Sequence, residues 1–264
     1  MPTHNHAVTP LNAFRRALSR LGRGWGIALR FLTVAPWGRW QPGDEAHLGC
    51  AAALFPWVGA FVGGAVVATR WGALRLHSSP AVAAALTLTA WVLLTGGLHL
   101  DGLMDAADGL LGGQTPAQRL EIMHDERVGA FGVLAAALVL LLKYSALQST
   151  STAAVILAPV VGRWVLVAAM GLFPYAREQG LGGVWHAQIT RRSLLAATLA
   201  ALAGLVAAGS LALWAAAALS VAAAAGLALA AQRRIPGLTG DVYGALAEIS
   251  EALFLLGSLW WHAL

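Results

Sequence analysis

The sequence predicts an all-α, polytopic integral membrane protein: a bundle of about seven transmembrane helices with a cytoplasmic N-terminus. Of its 264 residues, 58% are hydrophobic and 11% are charged, whereas about a quarter of the residues in an ordinary soluble domain are charged. Several apolar stretches reach about 20 residues, the length that an α-helix needs to cross the hydrocarbon core of a bilayer. The arginines are divided unequally between the connections, and this inequality indicates the orientation.

The first predicted element is an amphipathic helix at residues 12–32. Its apolar side chains recur at alternating steps of four and three residues, and five arginines lie off this stripe. This pattern is typical of a helix that rests on an anionic leaflet. The alternative is a helix that packs against the core of the protein itself. The stripe consists of Phe14, Leu18, Leu21, Trp25, Ala28 and Leu32.

Seven spans follow this helix. Five apolar stretches are each long enough to cross the membrane at 1.5 Å per residue, and a longer alanine- and leucine-rich block is interrupted near Gly209, which predicts a helical hairpin. Ser79 before a proline and Thr115 three residues before Gln118 are signals of helix starts. The five stretches are 49–69, 80–100, 129–150, 152–174 and 244–264, and the arms of the hairpin are 193–208 and 211–231.

Basic residues predict the orientation of these spans. Thirteen arginines lie in connections on the N-terminal side, whereas Arg70 and Arg75 lie in the opposite connections and Lys143 and Arg163 fall inside spans. Because cytoplasmic connections carry the excess of basic residues, we predict a cytoplasmic N-terminus and an external C-terminus. The thirteen are Arg15, Arg16, Arg20, Arg23, Arg30, Arg39, Arg119, Arg127, Arg177, Arg191, Arg192, Arg233 and Arg234.

This topology places the polar connections 101–128, 175–192 and 232–243 on the cytoplasmic side. A transporter is expected to carry its functional charges near the middle of the membrane at broken helices. We therefore favour a site at the inner surface that serves cytoplasmic substrates. The net charge of +5 does not predict a nucleic-acid partner, because the arginines are scattered among apolar runs and membrane orientation explains them better.

The segment "GGLHLDGLMDAADGLLGG" at 96–113 carries three aspartates and no lysine or arginine. On a helix, Asp101, Asp105 and Asp108 would share one face with neighbouring carboxylates about 6 Å apart. Two such charges repel by roughly 3 kcal/mol at an effective dielectric constant of ~20, so we predict a bound cation rather than a solvated acidic face. Carboxylates with only His99 nearby favour Mg²⁺ or Mn²⁺ over zinc. Since Mg²⁺ commonly shares its ligands with substrate phosphates, phosphoryl transfer is the predicted chemistry.

Two further segments are candidates for the same site. In "LEIMHDERVGAFG", Glu121 and Asp125 lie four residues apart and either complete the site or belong to an ordinary polar helix. In "FPYAREQGLGG", Tyr175 and Arg177 follow the end of a span. Either residue is explained as an interfacial anchor, but Arg177 is also a candidate phosphate ligand.

The segment "RRIPGLTGDVYGALAEISEALFLL" carries acids into the last span. Asp241, Glu248 and Glu251 follow one another at steps of seven and three residues. Acids inside a span are functional by default. The structural alternative is that they pair with Lys143 or Arg163.

These segments, in this order over about residues 30–256, resemble the adenosylcobinamide-GDP ribazoletransferases, also called cobalamin synthases. The resemblance implies a Mg²⁺-dependent enzyme of the inner (cytoplasmic) membrane whose active site faces the cytoplasm. It implies that adenosylcobinamide-GDP is joined to α-ribazole or its 5'-phosphate, which gives adenosylcobalamin or its 5'-phosphate, and GMP. The basic N-terminal residues fall outside the resemblance, and we predict two parts of the chain: a basic N-terminal segment with the amphipathic helix at 1–40 and a transmembrane catalytic domain at 41–264.

The resemblance also implies roles for individual residues. Asp101, Asp105 and Asp108 would bind the metal and take part in catalysis, and Asp241 or His99 would orient or deprotonate the attacking hydroxyl. The remaining candidates would bind the substrates. They are Arg177, Arg191, Arg234, Thr239, Lys143 and Glu248.

Two other functions are alternatives. A CDP-alcohol phosphotransferase would also use aspartates at a membrane surface, but the arginine that follows its aspartate-glycine pair has no counterpart in "DGLLGGQT". A cation-coupled transporter would use Glu248, Glu251 and Lys143 within the membrane. The expected partners are the two small-molecule substrates and the lipid bilayer, and a homo-oligomer is left open.

Overall fold

The computed structural model describes residues 10–35, 38–177 and 180–260. Within these ranges the chain is helical and has no strand, apart from an isolated bridge between Tyr175 and Leu238. The predicted all-α class is therefore confirmed. The α-helices are α1 (Pro10–Leu32), α2 (Leu48–Ala53), α3 (Phe55–Arg75), α4 (Pro80–Thr95), α5 (Leu98–Gly112), α6 (Pro116–Ile122), α7 (Ala130–Leu147), α8 (Thr152–Leu172), α9 (Leu181–Gln188), α10 (Arg191–Ala208), α11 (Leu211–Gln232) and α12 (Gly240–Trp260).

The helices agree with the predicted number of spans. Six of them, α3, α7, α8, α10, α11 and α12, are long and apolar enough to cross a membrane, and α4 makes a seventh if it is taken together with α5. Gly209, with φ of 59°, separates α10 from α11, as the predicted hairpin requires. Residues 261–264 of the predicted span 244–264 lie outside the described residues.

Two predicted spans differ from the structure. The span predicted at 49–69 is the short helix α2 followed by α3, which begins at Phe55. The span predicted at 80–100 ends at Thr95, and the axis of α5 is bent by 87° from that of α4. Gly96 and Gly97 form the bend with φ of 63° and 68°, left-handed values that glycine adopts without steric cost. The acidic segment is therefore a helix that turns sharply away from α4.

Helix α1 confirms the helix predicted at 12–32, and its two halves have different surroundings. Near its C-terminal end, Ile27, Leu29 and Leu32 are buried where α1 packs against α2 and α3. Leu18 and Leu21 are about half exposed. The first half thus keeps apolar and basic surface that fits a bilayer interface, and contact with lipid stays a prediction. Residues 1–9, 36 and 37 of the predicted basic segment lie outside the described residues.

Helices α8 and α12 form the centre of the bundle. Most of the α8 side chains are buried, and α12 packs against α5, α7, α8 and α11. The two predicted helix starts are present: Ser79 Oγ accepts from the Val82 amide, and Thr115 and Gln118 form a capping box. Since α12 contacts α5, the bundle places the acidic segment beside the first turn of the last helix.

The orientation of this bundle can be measured with reporters. Because basic residues lie mainly in connections on the N-terminal side, we expect the N-terminus and the connection between α5 and α7 to be cytoplasmic and the C-terminus to be external. A C-terminal alkaline phosphatase fusion, which is active only outside the cytoplasm, should be active. A C-terminal reporter that is active only in the cytoplasm should be silent, and its activity would contradict either the number of spans or their orientation.

Candidate active site between α5 and α12

Close contact between two backbones brings the site together. A Cβ atom on Gly102 of α5 would lie 3.0 Å from the Asp241 carbonyl oxygen, and one on Gly244 of α12 would lie 3.0 Å from the His99 carbonyl oxygen. A side chain at either position would hold the helices apart. Their absence allows α5 to pack on the first turn of α12, so that Asp241 lies among the carboxylates of α5.

Arg177 and Asp241 form the second part of this site. Arg177 Nη2 donates to Asp241 Oδ2 at 2.9 Å, and both side chains are about one-fifth exposed. The segment after α8 pairs with the segment before α12, since the Ala176 amide donates to the Leu238 carbonyl at 2.9 Å. This pairing brings the predicted phosphate ligand to a carboxylate 64 residues further along the chain.

Thr239, predicted to bind substrate, directly precedes helix α12 and caps its N-terminus. Its side chain is buried, and Oγ1 accepts from the Val242 amide at 3.2 Å. The hydroxyl thereby satisfies one of the amides that have no partner at a helix N-terminus. Thr239 supports the site by fixing the start of α12, and a direct contact with substrate stays a prediction.

Negative charge outweighs positive charge among the side chains around Asp105. Asp101 is exposed and Asp105 is half-buried. Burial and the carboxylates of Asp101, Asp241 and Asp108 raise the pKa of Asp105 to about 6, against a smaller opposite effect of Arg177. Helix α5 follows the 87° bend after α4 and is not one of the six helices that are long and apolar enough to cross a membrane by themselves. The region thus favours binding of a cation.

Asp108 has other partners. It is buried, its Oδ2 accepts from the Gly129 amide at 2.8 Å, and its Oδ1 accepts from the Gly132 amide at 2.9 Å. These amides open helix α7, where backbone donors lack partners within the helix. Asp108 therefore joins α5 to α7, and its predicted role as a metal ligand stays a prediction. Among the described residues, no three His, Cys, Asp or Glu side chains could hold a metal ion by themselves.

Asp108 gives a test that separates a structural role from a ligand role. Asp108→Ala would leave two buried amides without an acceptor, so we expect the free energy of unfolding to fall by about 2 kcal/mol. Asp108→Asn should lose less, because its amide oxygen still accepts one of the two bonds. Thermal melting in detergent measures both variants. Loss of activity in Asp108→Ala with unchanged melting would instead assign Asp108 to the metal.

The other charged residues predicted for this site, two arginines and one aspartate, lie at its edges or have local partners. Arg234 Nη1 donates to the Leu110 carbonyl near the C-terminal end of α5, at 2.8 Å. Arg191 is exposed at the first residue of α10. Asp125 forms a local ion pair with Arg127 at 2.6 Å. Arg234 is thus close to the acidic helix, while Arg191 begins a different element.

Lys143 and Glu248, also predicted to bind substrate, belong to a buried ion network. Lys143 Nζ lies 2.6 Å from Glu248 Oε2 and 2.5 Å from Glu251 Oε2. Glu251 also pairs with Arg163, and all four side chains are at least nine-tenths buried. The structural alternative for these acids, pairing with Lys143 or Arg163, is therefore observed. The network joins α7, α8 and α12, which holds the helix that carries Asp241.

A cavity of about 160 Å³ lies beside the carboxylates. Asp101, Asp241, His99 and Tyr243 are among its lining residues. His99 and Tyr243 are buried, and His99 Nδ1 and the Tyr243 hydroxyl have no hydrogen-bond partner among the described residues. His99 was among the residues predicted from the sequence, whereas Tyr243 was missed because, directly before the predicted span 244–264, it resembles an ordinary interfacial or core aromatic residue. Its position two residues after Asp241 was the available signal.

Comparison with known proteins identifies the family. The sequence model of the family described as cobalamin-5-phosphate synthase matches residues 24–259. Three similar proteins are each named adenosylcobinamide-GDP ribazoletransferase. The protein of Roseiflexus sp. (strain RS-1) is 40% identical over 87% of both chains. That of Desulfitobacterium hafniense (strain Y51) is 39% identical over 88% of this chain and 94% of its own.

The third, from Stutzerimonas stutzeri (strain A1501), is 42% identical over 88% of this chain and 95% of its own. No solved structure matches the chain. The family match includes helix α5, the segment that carries Arg177 and nearly all of α12. All the residues of the site described above therefore fall within it. On this evidence, the chain belongs to the cobalamin-5-phosphate synthase family.

Proposed function

We propose that this protein joins adenosylcobinamide-GDP to α-ribazole, or to α-ribazole 5'-phosphate, and releases GMP. The family match and the names of the relatives support the substrates and the reaction. The observation that carries the proposal is the grouping of Asp101, Asp105 and Asp241 with Arg177 where α5 meets α12. This grouping is what transfer between phosphate groups needs, because its main requirements are positioning and charge stabilisation.

The residues fit a Mg²⁺ ion that is shared with the substrate. Asp101 and Asp105 offer carboxylate oxygens, which are the ligands that Mg²⁺ prefers, and the raised pKa of Asp105 reflects its burial and then the negative charge of the surrounding carboxylates. Among the described residues, too few ligands converge to hold the ion alone, so water and the diphosphate would supply the others. When bound, Mg²⁺ would neutralise charge on the diphosphate and on the departing GMP.

The protein residues position the reacting groups. Arg177 uses Nη2 for Asp241, and a guanidinium has further donors that can bind a phosphate oxygen. The ribose hydroxyl of ribazole attacks the phosphorus that carries the cobinamide, and a new O–P bond forms. The bond from that phosphorus to the bridging oxygen breaks, and GMP leaves. Asp241 accepts a hydrogen bond from the attacking hydroxyl and then its proton.

The location follows from the same layout. We propose that the protein crosses the inner membrane several times and that the site opens to the cytoplasm, since the connections next to it lie on the predicted side that carries thirteen of the arginines. The exposed face of α1 supports contact with the lipid surface.

One incubation tests the reaction. Purified protein in lipid vesicles should convert adenosylcobinamide-GDP and α-ribazole, with Mg²⁺, to adenosylcobalamin and GMP, both detected by mass. Turnover of CDP-linked lipids instead would favour the CDP-alcohol phosphotransferase. Cation movement across the vesicle without GMP release would favour the transporter.

The pKa of Asp105 predicts a pH dependence of the Mg²⁺ requirement. With a pKa of about 6, Asp105 is protonated below pH 6 and ionised above it, so protons compete with the metal at low pH. We expect the Mg²⁺ concentration for half-maximal GMP release to rise as the pH falls below 6 and to level off above 7. An Mg²⁺ requirement that does not change between pH 5.5 and 7.5 would contradict a ligand role for Asp105.

The raised pKa of Asp105 also predicts how the stability of the fold depends on pH, and here a higher pH is unfavourable. The folded protein holds the Asp105 proton more strongly than the unfolded chain, whose reference pKa is 3.8. Without Mg²⁺, this carboxylate therefore makes the fold less stable as the pH rises from about 4 to 6. Added Mg²⁺ should reverse that loss, because a ligand that binds the folded state stabilises it.

A further inference from the structure

We propose that the cavity beside Asp101 and Asp241 binds the base of the ribazole substrate, and that the Tyr243 hydroxyl makes its polar contact. The proposal rests on the proposed function and adds a location and a basis for selectivity. It assigns the cavity to the nucleoside that attacks, rather than to the guanosine that leaves.

The lining of the cavity combines charged and apolar groups. Asp101 and Asp241 contribute carboxylates, and α1, α5 and α8 contribute apolar side chains. A nucleoside has the same two kinds of group, with hydroxyls on the ribose and a planar, less polar base. If the ribose hydroxyl reacts at the carboxylates, the base contacts the apolar side chains. The apolar side chains are Phe31, Leu98, Leu166 and Met170.

Unpartnered polar atoms indicate that something binds here. His99 is 4% exposed and Tyr243 is 2% exposed. The His99 Nδ1 atom and the Tyr243 hydroxyl have no partner among the described residues. Buried polar groups nearly always have a partner, because burying one without a hydrogen bond is costly. A ligand that supplies those partners would recover that cost, and both residues line the cavity.

The number of polar atoms on the base distinguishes benzimidazole from guanine as a ligand of this cavity. The base of ribazole is a dimethylated benzimidazole, with one free ring nitrogen as acceptor and an otherwise apolar surface. Guanine has an amino group, a carbonyl group and several ring nitrogens, and an apolar lining would leave most of them unpaired. A site rejects a ligand whose buried polar atoms find no partner. The cavity therefore matches the benzimidazole, with Tyr243 donating to its ring nitrogen.

Aromatic rings next to the cavity favour a planar ligand. The Tyr243 ring is stacked on the Tyr175 ring with centroids 6.4 Å apart. Phe31 packs against Trp185 with centroids 4.6 Å apart. Aromatic groups at such distances attract further flat rings in offset or edge-to-face arrangements. The surroundings of the cavity are thus those of a base pocket.

Tyr243→Phe tests the assignment with a minimal change of shape. Steady-state GMP release in vesicles gives KM separately for α-ribazole and for adenosylcobinamide-GDP. We expect KM for α-ribazole to rise about tenfold, as the loss of one hydrogen bond predicts. We expect KM for adenosylcobinamide-GDP and kcat to change less than twofold. Tyr144→Phe, which removes a hydroxyl on α7 away from the cavity, is the matched control and should change neither KM.

A second variant tests the apolar part. Leu166→Phe would narrow the cavity, so it should raise KM for α-ribazole more than KM for the riboside of unmethylated benzimidazole. A thermal melt shows whether this variant folds. If Leu166→Phe does not fold, the KM values of Tyr243→Phe alone test whether the cavity binds the base.

The outcomes separate this proposal from the proposed function. Absence of GMP release by the unaltered protein would contradict the proposed function. Normal turnover with a Tyr243→Phe effect on KM for adenosylcobinamide-GDP alone would overturn the base pocket and assign the cavity to the other substrate. Normal turnover with neither KM changed would also overturn it.

Discussion

Replacing Asp105 by asparagine is expected to lower turnover by at least two orders of magnitude without making the metal-free protein less stable. The substitution keeps the size of the side chain but removes one anionic oxygen ligand. A well-placed charge interaction at a reacting phosphate contributes several kcal/mol, and each 1.36 kcal/mol is tenfold in rate. Repulsion among Asp101, Asp241, Asp108 and Asp105 is relieved in the variant, so its fold should hold equally well without Mg²⁺.

Two measurements on Asp105→Asn check this result. Thermal melting with and without Mg²⁺ should show that the variant gains less stability from the ion than the unaltered protein does. Titration of GMP release should show that any residual turnover needs more Mg²⁺. Glu126→Gln makes the same carboxylate-to-amide change at an exposed position between α6 and α7. It should change neither the stability gained from Mg²⁺ nor the Mg²⁺ dependence of GMP release. Unchanged turnover and an unchanged Mg²⁺ concentration for half-maximal activity in Asp105→Asn would contradict a metal site on α5.

The sequence predicted the number of spans well because span length is a local property. Each of the six long helices is a predominantly apolar run, and polar or glycine residues lie near its ends. The bend at Gly96 and Gly97 was missed because apolar residues continue on both sides of it. Hydropathy averaged over a window does not register a change of direction, whereas two adjacent left-handed glycines produce one.

The candidate site was predictable only in part. Spacing placed Asp101, Asp105 and Asp108 on one helix, but it could not show that the amides of α7 already bind Asp108. The pairing of Arg177 with Asp241 depends on contact between segments far apart in the sequence. The sequence pattern and the family resemblance indicated each residue separately as a candidate, and the structure shows that the two form an ion pair. The unpartnered hydroxyl of Tyr243 is visible only in three dimensions.

Removal of Glu251 is expected to have the largest effect on stability. This carboxylate is fully buried and pairs with both Lys143 and Arg163. Glu251→Met would leave two buried cations with Glu248 as their one remaining anion in the network. Removing one partner from a buried ion pair costs about 3–5 kcal/mol, because the other charge is left without compensation. We expect Glu251→Met to unfold at a much lower temperature, with activity lost because α12 carries Asp241.

A second substitution distinguishes loss of charge balance from loss of shape. Glu251→Met together with Arg163→Met removes one anion and one cation, so the remaining Lys143–Glu248 pair, 2.6 Å apart, stays neutral. Replacing a buried ion pair by apolar side chains of similar volume is often neutral or stabilising, and the double variant should therefore melt well above Glu251→Met alone. Glu121→Met, at an exposed position of α6, controls for the new side chain. A double variant no more stable than the single one would show that Glu251 acts through its packing rather than its charge.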